Sequence, residues 1–223
     1  MNDNPLNILW QFLRHDMPVG DFERWLYAEA GLESLLGEAL HFELISTDFT
    51  DRDDVFLVSQ KLEALLRTSL ACECITLKDR DVVPMGCDGR DKRFFAPIET
   101  VRKHGGNQWW LSLDRCGTCG QNWMIATEER IYDDYFIRRL DTETADQVLN
   151  NGVWPDDFMT YEKVLEEGLK LSKACRFHDP MAGSLVWTAQ DLKAARPDIT
   201  TAEISELLGT DVEHVESLLA SAH

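Results

Sequence analysis

The chain has 223 residues, 44% of them hydrophobic and 28% charged, enough apolar content to bury a sizeable core and to exclude a disordered chain. Forty acidic against 22 basic residues give a formal net charge of -18, which disfavours a nucleic-acid backbone as partner and favours a cationic protein. A bilayer span needs roughly 18 to 20 consecutive apolar residues; the longest apolar grouping, residues 35–45, is interrupted by Gly37, Glu38, His41 and Glu43.

The amino-terminal residues Met-Asn-Asp-Asn-Pro-Leu-Asn lack the basic and apolar regions of a signal peptide, so a cytoplasmic location is expected. The six cysteines are then expected to be reduced thiols or metal ligands. Charge is uneven along the chain. Residues 1–70 carry 13 acids and 5 bases, 71–125 carry 7 and 8, 126–180 carry 13 and 7, and 181–223 carry 7 and 2. The cysteine-bearing middle is therefore the one balanced segment.

The first third reads as helical. Leu6, Leu9, Trp10 and Leu13 recur at helical spacing, Pro18 and Gly20 interrupt them, and Asp21 is placed to cap a helix carrying Phe22, Trp25 and Leu26. His41 to Ser46 fits helix or strand equally. Thr50 with Asp53 resembles a helix start, and Val55, Val58, Leu62, Leu65 and Leu66 supply one apolar stripe after it. From Ala71 the period becomes that of a strand, followed by a turn at Asp79–Asp81 and a second extended run, Val82–Met85. Residues 86–107 read as a loop. Strand character returns in Trp109–Leu113 and in Asn122–Ala126.

Asp141 is placed to cap a helix through Ala145, Val148 and Leu149 that Gly152 and Pro155 end, and residues 160–172 form another amphipathic stretch. After a break at residues 179–183, the run Ala202–Leu208, Gly209, Val212–Leu219 has the rhythm of a helix-turn-helix. The expected fold class is α+β: helical ends around a small antiparallel β unit. The expected divisions are a helical region (1–70), a zinc-ribbon-like β region (71–140), a helical region packed on it (141–180) and a small helix-turn-helix-like unit (181–223).

The most specific motif is Arg115-Cys-Gly-Thr-Cys-Gly120, placed between two strands. Glycine after the second cysteine lets the chain turn tightly, so that both sulfurs face one ion, and the segment resembles a zinc-ribbon knuckle. A redox Cys-x-x-Cys should instead open a helix, whereas residues 121–125 read as strand. Two core thiols without metal are the remaining alternative. Cys72 and Cys74 complete the ligand set with Cys116 and Cys119, since positions two apart on a strand share a face. Cys87 and His104 are the substitutes, and Cys175 reads as a half-buried helix residue. Four thiolates leave no open coordination position, so Zn2+ here is structural.

No nucleophile with a base, phosphate loop or Gly-x-Ser-x-Gly occurs, and Asp53-Asp54, Asp133-Asp134 and Asp156-Asp157 read as solvated faces or helix starts; no enzyme is expected. The second helix of the carboxy-terminal unit, Asp211-Val-Glu-His-Val-Glu216, offers no arginine or lysine to DNA. The tryptophans read as core or rim anchors, although Trp109 and Trp110 cannot both face one side of a strand.

Phe22-Glu-Arg-Trp-Leu-Tyr-Ala-Glu-Ala-Gly-Leu-Glu-Ser-Leu-Leu-Gly37, continuing through Phe42-Glu-Leu-Ile-Ser-Thr-Asp-Phe49, resembles the immunity proteins of bacterial toxin and effector systems. The resemblance covers about residues 8–70 and rests on aromatic, leucine and glycine positions. It implies an acidic, non-enzymatic protein that blocks the active site of a cationic toxin, such as a nuclease. Asp48, Asp51, Asp53 and Asp54 are the expected contact residues. The alternative is a zinc-ribbon regulator or adaptor with a carboxy-terminal helix-turn-helix.

Overall fold

The computed structural model describes residues 4–86, 89–105, 110–173 and 179–221. The chain divides into two compact units, Met1–Lys78 and Asp79–His223.

In the first unit, α1 (Pro5–Leu13) begins with proline at its first turn and with the Asn4 side chain accepting from the Leu6 N–H. Helices α2 (Val19–Ala28), α3 (Leu32–Leu36), α4 (Glu38–Ile45) and α5 (Arg52–Arg67) follow. Helix α2 starts before the expected cap: Pro18 is its boundary residue, and Asp21 sits in the first turn. His41–Ser46 is settled as the end of α4. The cap of α5 is Asp51, whose carboxylate accepts from the Asp53 and Asp54 N–H groups, instead of Thr50. One core joins these helices, with the Phe12 and Phe22 rings stacked at 3.8 Å between centroids and Phe49 edge-on to both.

The segment expected to be a strand from Ala71 is a 3-10 turn, Glu73–Thr76, entered from an extended Cys72. Two arginines far apart in sequence override the alternating pattern. Arg67 Nη1 donates to the buried Glu73 carboxylate at 3.1 Å, Glu73 also accepts from the Thr76 hydroxyl, and the Arg14 guanidinium donates to the Ile75 carbonyl.

The second unit is built on one antiparallel sheet: β1 (Arg80–Pro84), β2 (Ile98–Lys103), β3 (Leu111–Cys116), β4 (Asn122–Glu128) and β5 (Asp134–Leu140), in the order β1-β5-β4-β3-β2. The expected loop 86–107 thus contains edge strand β2 and a short helix, α6 (Arg90–Phe95). Charged side chains on an edge strand hide its period, and they also protect the edge from further pairing.

Both sheet faces are covered, so Asn122–Ala126 of β4 are buried without alternation. Leu111, Leu113, Met124, Ala126 and Phe136 pack against α7 (Thr142–Asp146), the following π-helical turn, and α8 (Tyr161–Lys170). On the other face, Phe94 of α6 meets Trp123 edge-on at 5.8 Å, and Phe95 meets Tyr135. Asp141 caps α7 as expected, accepting from the Thr144 N–H at 2.7 Å. Gly168 on α8 is required by close approach, because a Cβ there would lie 2.7 Å from the Tyr132 hydroxyl oxygen. Gly168→Ala is expected to cost ~1–3 kcal/mol, read from the urea midpoint, as the rigid Tyr132 ring is displaced from Phe136.

Helices α9 (Gly183–Ala195), α10 (Thr201–Leu208) and α11 (Val212–Ala220) bury Leu185, Leu192, Ile204, Leu208 and Val215 together with Leu165 of α8. Gly209 turns α10 into α11 at φ +62°, a left-handed conformation that suits glycine. Helix α10 opens with a capping box, Thr200 and Glu203 bonding each other's backbone N–H. Thr200's hydroxyl and N–H, with Arg196 beside them, hold the Glu203 carboxyl down at about 2. A carboxylate depressed in the folded state stabilises above its ordinary value of 4.5, and that contribution is lost as pH falls towards 2. Glu203→Gln should therefore lower stability at neutral pH and flatten the acid limb of the stability curve between those pH values, with variant and wild type converging near pH 2.

Candidate metal centre

Cys116 is the last residue of β3, and by strand alternation its side chain leaves the face opposite Leu113. The chain then reverses over four residues. Gly120 N–H donates to the Cys116 carbonyl at 2.8 Å, Cys116 N–H to the Gln121 carbonyl at 2.9 Å, and Gly117 N–H to the Pro97 carbonyl at 2.7 Å. Gly120 takes φ +76°, which a side chain would strain. The knuckle is thus built by the backbone around its two cysteines and continues directly into β4.

Cys72 and Cys74 reach the site from the 3-10 turn held by Arg14 and Arg67. The sulfurs of Cys72, Cys74, Cys116 and Cys119 all lie within 4.8 Å of one another. Tetrahedral zinc with Zn–S near 2.3 Å separates its sulfurs by about 3.8 Å, so this gathering suits one ion bound by all four. Cys74 and Cys116 are buried, Cys72 is half-buried and Cys119 is exposed. An all-sulfur donor set selects a soft or borderline metal over magnesium or calcium.

Next along β3, the buried Asp114 carboxylate accepts from the Thr100 hydroxyl at 2.7 Å and from the Ser112 hydroxyl at 2.5 Å. Burial pushes its pKa up despite those bonds.

The structure brings together all four cysteines named from the sequence. It places the alternative ligand His104 elsewhere: its ring lies edge-on to Trp154 at 5.1 Å, and its N–H donates to the Leu111 carbonyl. Cys87, Cys175 and Trp109 lie outside the described residues. The four carboxylates expected to meet a partner are exposed, but two also serve their own backbone. Asp48 accepts from the Thr50 hydroxyl and N–H, bonds that hold its pKa down, and Asp51 caps α5.

Sequence reading missed the supports of the Cys72–Cys74 turn. Glu73 between two cysteines was the available signal, since a buried carboxylate requires a cation and Arg67 lies six residues earlier. It also missed a cavity of about 290 Å³ in the second unit, walled by Trp110, Tyr161 and Trp187, because its parts come from four separate segments. Among the described residues, no helix is long and apolar enough to cross a membrane. Comparisons with protein-family models, with curated proteins and with solved structures gave no match to this chain.

Proposed function

We propose that the chain holds one structural Zn2+ on Cys72, Cys74, Cys116 and Cys119, and that it works by binding a cationic protein. In this reading it is a cytoplasmic immunity-type protein that neutralises a bacterial toxin or effector, such as a nuclease, by covering its active site. The convergence of four sulfurs within 4.8 Å supports the metal. A fully thiolate-bound zinc supplies folding energy and no catalysis. The net charge of -18 carries the partner reading, because opposite charge accelerates encounter and sets register with a basic surface. Asp48, Asp51, Asp53 and Asp54 are exposed and available to such a surface.

The test is capture of a toxin encoded beside this gene, followed by a nuclease-protection assay. One-to-one binding that abolishes toxin activity is expected; a toxin equally active with and without the chain would contradict the reading. The glycine turn between α10 and α11 supports a second reading, a zinc-ribbon regulator or adaptor. Glu213 and Glu216 on α11 point that unit towards a protein contact. Duplex DNA binding at moderate salt would favour a regulator and exclude immunity by charge mimicry.

A further inference from the structure

The cavity in the second unit is separate from the cysteines and has a different chemistry. Trp110, Tyr161 and Trp187 form its aromatic walls, with Glu128, Glu129 and Arg130 beside them. Its volume of about 290 Å³ lies at the small end of ligand pockets, suited to a single side chain. Trp187 on α9 is 49% exposed, an unusual position for the largest apolar side chain.

The rings already hold one guanidinium. Arg130 lies 4.3 Å from the Trp187 centroid and 4.7 Å from that of Tyr161, and its Nη1 donates to Asp191 at 2.9 Å. Glu128 is fixed by the N–H groups of Arg130, Ile131 and Tyr132 and by the Tyr161 hydroxyl at 2.6 Å. Three carboxylates, Glu128, Glu129 and Asp191, outnumber this one cation. Aromatic faces with surplus negative charge attract an organic cation and repel an anion.

We propose that this cavity is the anchor pocket for a basic side chain, an arginine, presented by the cationic partner. The proposal rests on the partner reading above and gives that partner a point of attachment. The alkyl stem of the incoming arginine packs on Trp110 and Val164, and its guanidinium faces Glu129 and the Trp187 ring.

The probe is N-acetyl-argininamide, titrated into the full chain and followed by tryptophan fluorescence, with the uncharged N-acetyl-citrullinamide as control. Saturable binding of the arginine probe is expected, with the citrulline probe, Glu129→Gln and Trp187→Leu each weakening it roughly fivefold or more. Both variants change exposed side chains, and unaltered circular dichroism establishes that they fold. Equal binding of the two probes, no binding of either, or undiminished binding by both variants would overturn the pocket. A cationic partner captured equally by wild type and by Trp187→Leu would overturn the pocket and leave the partner reading intact. Probe binding without capture of any cationic partner upholds the cation pocket and overturns the partner reading.

Discussion

Cys119→Ser is expected to destabilise the chain nearly as much as Cys116→Ser, although Cys119 is exposed and Cys116 is fully buried. Packing alone would make the two substitutions very different. An exposed cysteine contributes little apolar burial, whereas loss of a buried one removes contacts throughout its shell. In the proposed site both sulfurs would hold the same ion, and structural zinc binding contributes roughly 10–16 kcal/mol in small zinc-finger peptides. A weakened three-thiolate site retains part of that, so a loss of ~3 kcal/mol or more is expected for either variant. Urea unfolding with and without a strong chelator separates the causes. Chelator should lower the wild-type midpoint towards that of the variants and barely move theirs. A Cys119→Ser protein as stable as wild type would mean that the cluster carries no stabilising metal.

The second large effect is expected at Asp157. Arg80 and Arg138 face each other across the β1–β5 register, an arrangement of like charges that needs a counter-charge. Asp157, largely buried, pairs with both, and Glu167 adds contacts to Arg80 at 3.3 Å and Lys170 at 3.2 Å. Burial, with Arg80 nearby, lowers the Arg138 pKa. Removing the shared carboxylate takes that partner from Arg138 and leaves Arg80 with Glu167, so two like charges face each other with one counter-charge fewer. Breaking a buried pair costs ~3–5 kcal/mol; because Arg80 is 44% exposed, ~2–3 kcal/mol is expected for Asp157→Ala. The neighbouring Asp156 pairs with Lys163 but is 80% exposed, so Asp156→Ala should change stability by less than about 0.5 kcal/mol. Equal effects of the two substitutions in urea unfolding would show that solvent, and not Asp157, compensates the arginines.

What the sequence made legible was chemistry confined to short windows. The knuckle at Cys116–Gly120 is specified by two cysteines and a glycine within five residues, and the backbone bonds that shape it are equally local. Helices α5 and α8 announced themselves through an apolar stripe, and α10 and α11 through the rhythm of helix, glycine turn and helix. The α+β class followed from the change of period between the helical ends and the middle.

Features set by distant partners were not legible. Cys72, Cys74 and Thr76 alternate as a strand would, yet Arg14 on Ile75 and Arg67 on Glu73 hold Glu73–Thr76 in a 3-10 turn, a tertiary effect no local period records. The sulfurs meet although the expected strand geometry is absent. Strand β2 was hidden because three of its six side chains, Glu99, Arg102 and Lys103, are charged, and α6 because six residues are too few to show a helical period. The aromatic cavity draws on β3's approach, the end of β4, α8 and α9, and only the fold brings them together.

The metal content of the folded chain, purified without added metal, tests the proposed zinc site most directly. Elemental analysis should find one zinc per chain, and replacing Cys116 and Cys119 together should abolish it. A folded wild-type chain that contains no zinc, takes up none when zinc is supplied, and keeps its stability in chelator would contradict the account.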